Sequence, residues 1–401
     1  MRDDCHSVAL GQTDWLSSET VYFGNGGVSQ NLLDLLKNTE VPRVNREGLY
    51  NYLEFGYSVF GQTPVDGVRF LPHSSRLVQD HMGNLSEMRE TDPFDNLRAY
   101  SLSESEIPEL LRAKIQAWEQ SLPSSAEIVL PLSAGYDSRF LLWALDSPER
   151  VRAFTFGQSD RQSDSVEVRV AKFLAAKKGV RWEHIPLKGF HQHLNSWYSI
   201  FGPSVHAHGM YQIEFYRRIR DILGPKKTVL SGIFGDLWSG NVEIPTISGP
   251  SELANLAYSH GLSSNVEEFR RPLPPLVERE RFWEEERAKL QDPRYRIVAL
   301  VRLKIILISY LLRVPERLGF ETHAPFLDEE LALAMLNLPT NRRAGRAWQT
   351  DFFKKEGLDI PSVILGSRQN SLNERELTRT PLPSLDVGLL ERYVSRPYVE
   401  A

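Results

Sequence analysis

Cysteine is almost missing from this sequence. The single one, Cys5, excludes a disulfide framework and a cysteine-based zinc site. Long apolar runs are missing too. The most apolar helical stretch, Leu303 to Leu312, is too short to span a bilayer and carries Lys304, so it reads as a buried core helix. The N-terminus, Met1-Arg2-Asp3-Asp4-Cys5, lacks a basic-then-apolar pattern, and no signal peptide is expected. Neither sign of charge dominates: 47 Lys and Arg against 52 Asp and Glu leave a net charge of −5. That balance points to no nucleic-acid partner and no membrane partner. There is no internal repeat and no low-complexity tract. A cytoplasmic protein handling small molecules is expected.

What is present is ordinary for a globular chain. Its 401 residues suffice for one large domain or two ordinary ones, with 41% hydrophobic and 25% charged residues. Glu19 to Phe23 alternates and precedes Gly24-Asn25-Gly26-Gly27, which predicts an edge strand or hairpin. Asn45 to Tyr57 and Pro108 to Leu122 show helical spacing, and Phe70 to Val78 reads as a short strand pair.

From about residue 126 the pattern changes. Ile128 to Leu132 is a continuous apolar run, as a buried parallel strand should be. Further strands are expected at Val151–Phe156, Trp182–Leu187 and Thr228–Leu230. Helices are expected at Phe140–Leu145, Ser165–Lys178 and Tyr211–Leu223. This alternation predicts an α/β fold with a doubly wound parallel sheet, whose ligands bind beyond the carboxyl ends of the strands. Residues 251–340 read mostly as helix, with Pro272 to Asp292 as a charged surface excursion. The tail after Thr380 reads as partly mobile.

The sharpest signal lies between the first of these strands and its helix: Ser133-Ala134-Gly135-Tyr136-Asp137-Ser138. A small-residue loop there offers backbone N–H groups and a helix N-terminus to phosphate oxygens. No Gly-Lys-Ser/Thr follows, so it is not a Walker loop. A carboxylate inside a phosphate loop repels phosphate unless a cation lies between them, and Asp137 therefore suggests Mg²⁺ bridging to a pyrophosphate. His191, His193, His206 and His208 form two His-x-His pairs. No acidic or thiol set with ligand spacing accompanies them, and zinc is not expected.

Here the chain resembles the asparagine synthetase family, a branch of the pyrophosphate-loop ATP-cleaving enzymes. The family's Ser-Gly-Gly-x-Asp-Ser loop is similar to Ser133–Ser138. A second block resembles Phe154–Gly157 followed by Ser163-Asp164-Ser165. A third resembles Ser231-Gly232-Ile233-Phe234-Gly235-Asp236 with Gly240. A fourth resembles Glu321-Thr322-His323-Ala324-Pro325-Phe326-Leu327-Asp328, with His323 in place of Arg. Leu49 to Leu71 is similar to the family's lead-in. The blocks keep their order over roughly residues 45–370.

The resemblance implies a pyrophosphate-loop type of sheet with additional helices. It implies an N-terminal remnant and helical lead-in at 1–120 and an ATP-binding synthetase domain at 121–401. ATP is expected at Leu132, Ser133, Ala134, Gly135, Asp137, Ser138, Phe156, Ser231 and Gly232, and Mg²⁺ at Asp137 and Asp236. Arg346 is the best match for the cation on the departing pyrophosphate, followed by Arg343 and then Arg368. Glu321 takes the family's acidic position. The implied chemistry is adenylation of a substrate carboxylate, then amide formation with ammonia or an amine. Three departures stand out. Arg2 and Cys5 do not reproduce the family's glutaminase nucleophile, so free ammonia, a separate glutaminase or an amine substrate is expected to serve. Ile233 stands where the family carries a proton-moving Glu or Tyr. His323 replaces an Arg. A ring-closing or amine-joining relative, like the β-lactam synthetases and lasso-peptide cyclases, and a non-catalytic nucleotide-binding protein remain alternatives.

Overall fold

The computed structural model describes residues 8–24, 27–37, 41–257, 266–365 and 371–400. Cys5 and Arg368 lie outside them. The N-terminal part builds two small antiparallel sheets. Its strands are β1 (Val8–Thr13), β2 (Tyr22–Gly24) and β3 (Gly27–Ser29), then β4 (Val68–Phe70), β5 (Ser75–Gln79) and β6 (Leu85–Arg89). One sheet has the order β1-β5-β6, the other β3-β2-β4. The hairpin expected near Phe23 is the β2–β3 pair, with Gly24 opposite Gly27. The strand pair expected over Phe70 to Val78 is corrected: β4 and β5 belong to different sheets and find their partners elsewhere.

Helix α1 (Arg46–Phe55) begins where Asn45 accepts a hydrogen bond from the Gly48 N–H, a side-chain cap that fixes its start. Helix α2 (Glu106–Ser121) buries Ile107, Leu111 and Ile115 at helical spacing. No break in packing separates these elements from the rest. Trp15 stacks on Trp238 with ring centroids 5.8 Å apart, and its indole N–H donates to the Leu327 carbonyl at 2.9 Å. One apolar core runs from Trp15 to Leu372.

The central sheet is parallel and five-stranded. Along the chain come β7 (Ile128–Pro131), α3 (Tyr136–Ala144), β8 (Val151–Thr155), α4 (Val166–Lys178), β9 (Arg181–His184), α5 (Tyr211–Leu223) and β10 (Thr228–Leu230). They continue with α6 (Gly235–Ser239), α7 (Val277–Glu286), α8 (Pro293–Ile308), α9 (Tyr310–Arg317), β11 (Glu321–His323), α10 (Glu329–Leu336) and α11 (Ala347–Lys355). The spatial order is β11-β10-β7-β8-β9. β7 lies inside the sheet, and its Ile128, Val129 and Leu130 are fully buried, as its unbroken apolar run requires. Pro131 ends it, having no N–H for a ladder. The α/β class and the parallel sheet agree with the sequence reading. β11 was not foreseen.

One further expectation changes. Leu303 to Leu312 is not one helix: α8 ends at Ile308 and α9 begins at Tyr310. The charged excursion over Pro272 to Asp292 contains the helix α7, largely exposed and anchored by one buried arginine. Arg279 on α7 is buried, pairs with Glu54, and donates from Nε to Asn51 Oδ1 at 3.1 Å. The C-terminal tail makes short helical turns at Val387–Leu390 and Arg396–Glu400, and Val394 bridges to Phe269.

α8 is buried nearly all round, as a helix inside a core must be, yet it carries three buried cations. Arg296 donates to the carbonyls of Ile244 and Leu290. Arg302 holds Asp92 with both terminal nitrogens. Lys304 is the third.

Candidate active site

The strand order reverses at the β7–β10 pair. From β7 the chain moves outward to β8 and β9; it then returns to β10 on the other flank and continues to β11. In open α/β sheets this reversal opens a crevice at the carboxyl ends of the two central strands. The loop after β7 is 132–135 and runs into α3, whose first turn carries Asp137; the loop after β10 is 231–234 and runs into α6, whose first turn carries Asp236. The two best motif matches therefore emerge side by side at the crevice.

Their approach is close. The backbone N–H of Asp236 donates to Asp137 Oδ2 at 2.9 Å. Glycine permits this contact: a Cβ on Gly235 would stand 2.7 Å from Asp137 Cγ, and one on Gly232 would stand 3.1 Å from Asp137 Cβ. Phe234, between them, takes a left-handed backbone with φ of 65°, a conformation that costs energy for a non-glycine residue and gathers at functional sites. Asn241 donates to Asp236 Oδ2 at 2.9 Å and orients that carboxylate.

Asp137 Oδ1 is buried and, among the described residues, has no hydrogen-bond partner. Burial pushes the Asp137 carboxyl well above the usual carboxylate range, and the nearby Asp236 charge adds to the rise. The Asp236 N–H and Arg346 oppose it. An orphaned carboxylate oxygen beside a second acid is the donor set a hard divalent cation takes. Mg²⁺ needs only one or two protein carboxylates when phosphates complete its shell. The residues present thus fit Mg²⁺. Among the described residues no group of three or more His, Cys, Asp or Glu could hold a metal ion. Of the histidines, His191 bonds Glu376 at 2.7 Å, and burial brings His208 down to about 4.

The loop after β7 is held in shape by its serines. Ser133 N–H donates to Ser138 Oγ at 3.1 Å, and Gly135 N–H donates to Ser133 Oγ at 3.1 Å. α3 starts behind them with Gly135 at its N-cap and no side chain bonded to its first turn. Asp137 sits in that first turn and is not the cap. The helix N-terminus therefore presents uncapped N–H groups to the crevice.

Two chambers share this rim. The smaller, 230 Å³, is lined by Leu132, Ser133, Gly135, Asp137, Ser138, Phe156, Ser231 and Gly232. The larger, 700 Å³, is lined by Ala134, Asp137, Gly232, Asp236 and Arg346 among others. Every residue expected at ATP or Mg²⁺ lines one or both. In the larger chamber the Arg346 guanidinium lies over Tyr136, whose hydroxyl reaches Thr350 Oγ1 at 3.1 Å. Arg346 makes no salt bridge among the described residues, and it too has a left-handed backbone, φ 59°.

Other expected residues lie elsewhere. Glu321 is exposed at the start of β11, level with Thr228 rather than with the strand ends, and lines neither chamber. A three-residue strand separates it from the crevice. Arg343 is buried and donates to the Leu336 carbonyl, while Arg342 pairs with Glu104 and Asp351. Only Arg346 of the basic run faces the cleft. His323 stacks on Trp118 at 4.6 Å. The Pro325–Asp328 segment supports the site instead of lining it: Trp238, two residues beyond Asp236, donates to the Phe326 carbonyl at 2.8 Å. Ser163 and Asp164 of the second block line neither chamber; Gln158 and Glu167 take that wall.

Sequence reasoning also missed Lys304, Asn241, Tyr136 and Thr350 in the larger chamber. Lys304 carried a signal, a lone lysine in an apolar helix. Burial lowers it to about 8, and Asp236 works against that fall. A separate cavity of 490 Å³ lies by the N-terminal sheets, lined by Phe60, Phe282, Leu303 and Ile306 and rimmed by Arg69 and Glu278. It contains residues of the Leu49–Leu71 stretch but none of the four motif blocks.

Comparison with protein-family models finds no match, and comparison with curated proteins finds none either. Among the described residues no helix is long and apolar enough to cross a membrane.

Proposed function

We propose that this chain is a pyrophosphate-loop, ATP-dependent synthetase that adenylates a substrate carboxylate and then forms an amide, as the resemblance to the asparagine synthetase family implies. The observation that carries this reading is the meeting of Asp137 and Asp236 at the strand-order reversal, with a buried Oδ1 that has no partner among the described residues. The adenosine half of ATP fits the smaller chamber, between Phe156 and the Ser231-Gly232 turn. The α3 N-terminus and the serine loop orient the phosphates at the mouth of the larger one.

Mg²⁺, held by Asp137 and Asp236, would neutralise phosphate charge when bound. The chain's own residues do the positioning. Arg346, fixed over Tyr136, offers a planar cation to the departing pyrophosphate. The substrate carboxylate oxygen attacks the α-phosphorus, the bridging P–O bond breaks, and pyrophosphate leaves. Ammonia or an amine then attacks the acyl carbon and displaces AMP. Free ammonia, a separate glutaminase or an amine substrate supplies the nitrogen, and a cytoplasmic setting suits all three.

The test is acid-dependent exchange of labelled pyrophosphate into ATP. Exchange that Asp137→Ala abolishes supports the reading; its absence with every acid tried argues against it. One observation favours a second reading, nucleotide binding without turnover. Ile233, 1% exposed at the rim shared by both chambers, can move no proton. Release of AMP on incubation with acid and amine would exclude that alternative.

A further inference from the structure

The cavity beside the N-terminal sheets shares no lining residue with either chamber of the cleft. Its 490 Å³ is in the range that holds a small organic ligand. Phe23, Phe60, Phe282, Leu303 and Ile306 make an apolar floor, with the Phe60 and Phe282 rings 5.1 Å apart. The rim is more exposed and carries both signs of charge: Arg69, Arg89 and Arg281 against Glu87, Glu278 and Glu285. Arg302 also borders the cavity, but Asp92 and the Trp15 carbonyl hold its guanidinium.

The rim charges neighbour one another without spending their hydrogen bonds. Arg69 Nη2 stands 3.5 Å from Glu87 Oε1 and 3.7 Å from Glu278 Oε2, and Arg89 Nη2 stands 3.8 Å from Glu285 Oε2. These are ion-pair separations, longer than an N–H···O bond. Arg281 meets Glu278 more closely. Arg69 Nε is buried and, among the described residues, has no hydrogen-bond partner; the same holds for His73 Nδ1 on the same cavity. Arg89 Nη1 donates to the His73 carbonyl at 3.1 Å and faces His73 Nε2 at 3.5 Å. Arginine only donates, so the ring proton belongs on Nδ1. Two buried donors thus border the cavity unmet, which is costly until an acceptor arrives.

We infer that this cavity binds a free α-amino acid with a large apolar side chain. A bare anion would meet Glu87 and Glu278, and a bare cation would meet Arg69 and Arg89. A zwitterion answers both. Its carboxylate and ammonium share one carbon and stand about 3 Å apart by ordinary bond lengths, close to the 3.5 Å between the Arg69 and Glu87 groups. The carboxylate takes the Arg69 and His73 donors, the ammonium takes Glu87, and the apolar side chain covers Phe60 and Phe282. None of this depends on the adenylation reading.

The experiment is calorimetric titration of the full chain, without nucleotide, with phenylalanine, 3-phenylpropanoate, phenethylamine and aspartate. Phenylalanine is expected to bind about tenfold more tightly than each of the others, the scale of one charge-assisted hydrogen bond. Arg69→Met is expected to weaken phenylalanine and 3-phenylpropanoate alike. Glu87→Gln, at an exposed position of β6, is expected to weaken phenylalanine about tenfold while 3-phenylpropanoate gains. No binding of phenylalanine at millimolar concentration overturns the inference. So does equal affinity for phenylalanine and either one-charge analogue. Phenylalanine affinity unchanged in both variants places it elsewhere in the molecule and overturns the inference too. Pyrophosphate exchange tests adenylation separately, so either proposal can fail without the other.

Discussion

The guanidinium of Arg346 lies 4.6 Å from the centre of the Tyr136 ring, and both side chains border the Asp137 carboxylate loop. The ring holds the cation at the edge of the larger chamber, where the proposed chemistry would release pyrophosphate. Arg346→Ala is expected to slow pyrophosphate exchange by about a hundredfold, the usual loss when one charge-stabilising donor is removed. Arg346→Lys should recover only part of it, because an ammonium lacks the planar fork. Steady-state exchange rates at saturating ATP check both.

Asp137 links stability to pH with a definite sign. Its carboxyl is raised in the folded chain, chiefly by burial. Above the ordinary carboxylate value the unfolded chain has released a proton that the folded chain keeps. The ligand-free protein should therefore lose stability as pH rises from about 4 through the raised value. Asp137→Asn should remove that slope, stabilise the ligand-free chain at neutral pH, and abolish Mg²⁺–ATP binding. Urea titrations across the pH range, paired with calorimetry, test the three statements.

Asp92 behaves in the opposite way. Burial would raise its carboxyl, but Arg302 and Lys289 hold it below the usual range. The pair is buried, with bonds of 2.7 and 2.9 Å. Its contribution is present above an unfolded value of about 3.9 and is lost as pH falls through the depressed one. Asp92→Asn should cost about 3–5 kcal/mol at neutral pH, since the Arg302 charge is left buried. Chemical denaturation measures it.

Gly235→Ala tests the contact between the two motif loops. The added methyl would stand 2.7 Å from Asp137 Cγ and 3.0 Å from the Phe326 ring. The loops must part, at a cost of about 1–3 kcal/mol for overpacking. Mg²⁺–ATP affinity should fall with it, measured by calorimetry.

Glu321→Gln should leave exchange unchanged. The side chain is exposed at the amino end of β11, away from both chambers. A large loss of rate would restore it to the site.

The legible parts of this molecule are those that local chemistry decides. β7 is buried on both faces and had to read as an unbroken apolar run. The serine–glycine loop after it had to be small, and Gly232 and Gly235 had to lack side chains where Asp137 comes near. Expectations failed where distant partners decide. β4 and β5 are adjacent in sequence, yet they pair with β2 and with β1 and β6. β11 is three residues long, begins exposed, and follows a helical stretch, so no periodicity announces it. Glu321 was expected on a motif match, but the register of β11 sets it beside Thr228, away from both chambers. Lys304 was visible as an oddity, but only the packing of α8 turns it toward the cleft.

α8 is a partition one helix thick. Leu303 and Ile306 face the cavity beside the N-terminal sheets, while Lys304 and Ile308 face the cleft. A rod about 10 Å across, gripped by close-packed neighbours, cannot yield on one flank without advancing on the other. Whatever fills either room therefore presses on the shape of the second.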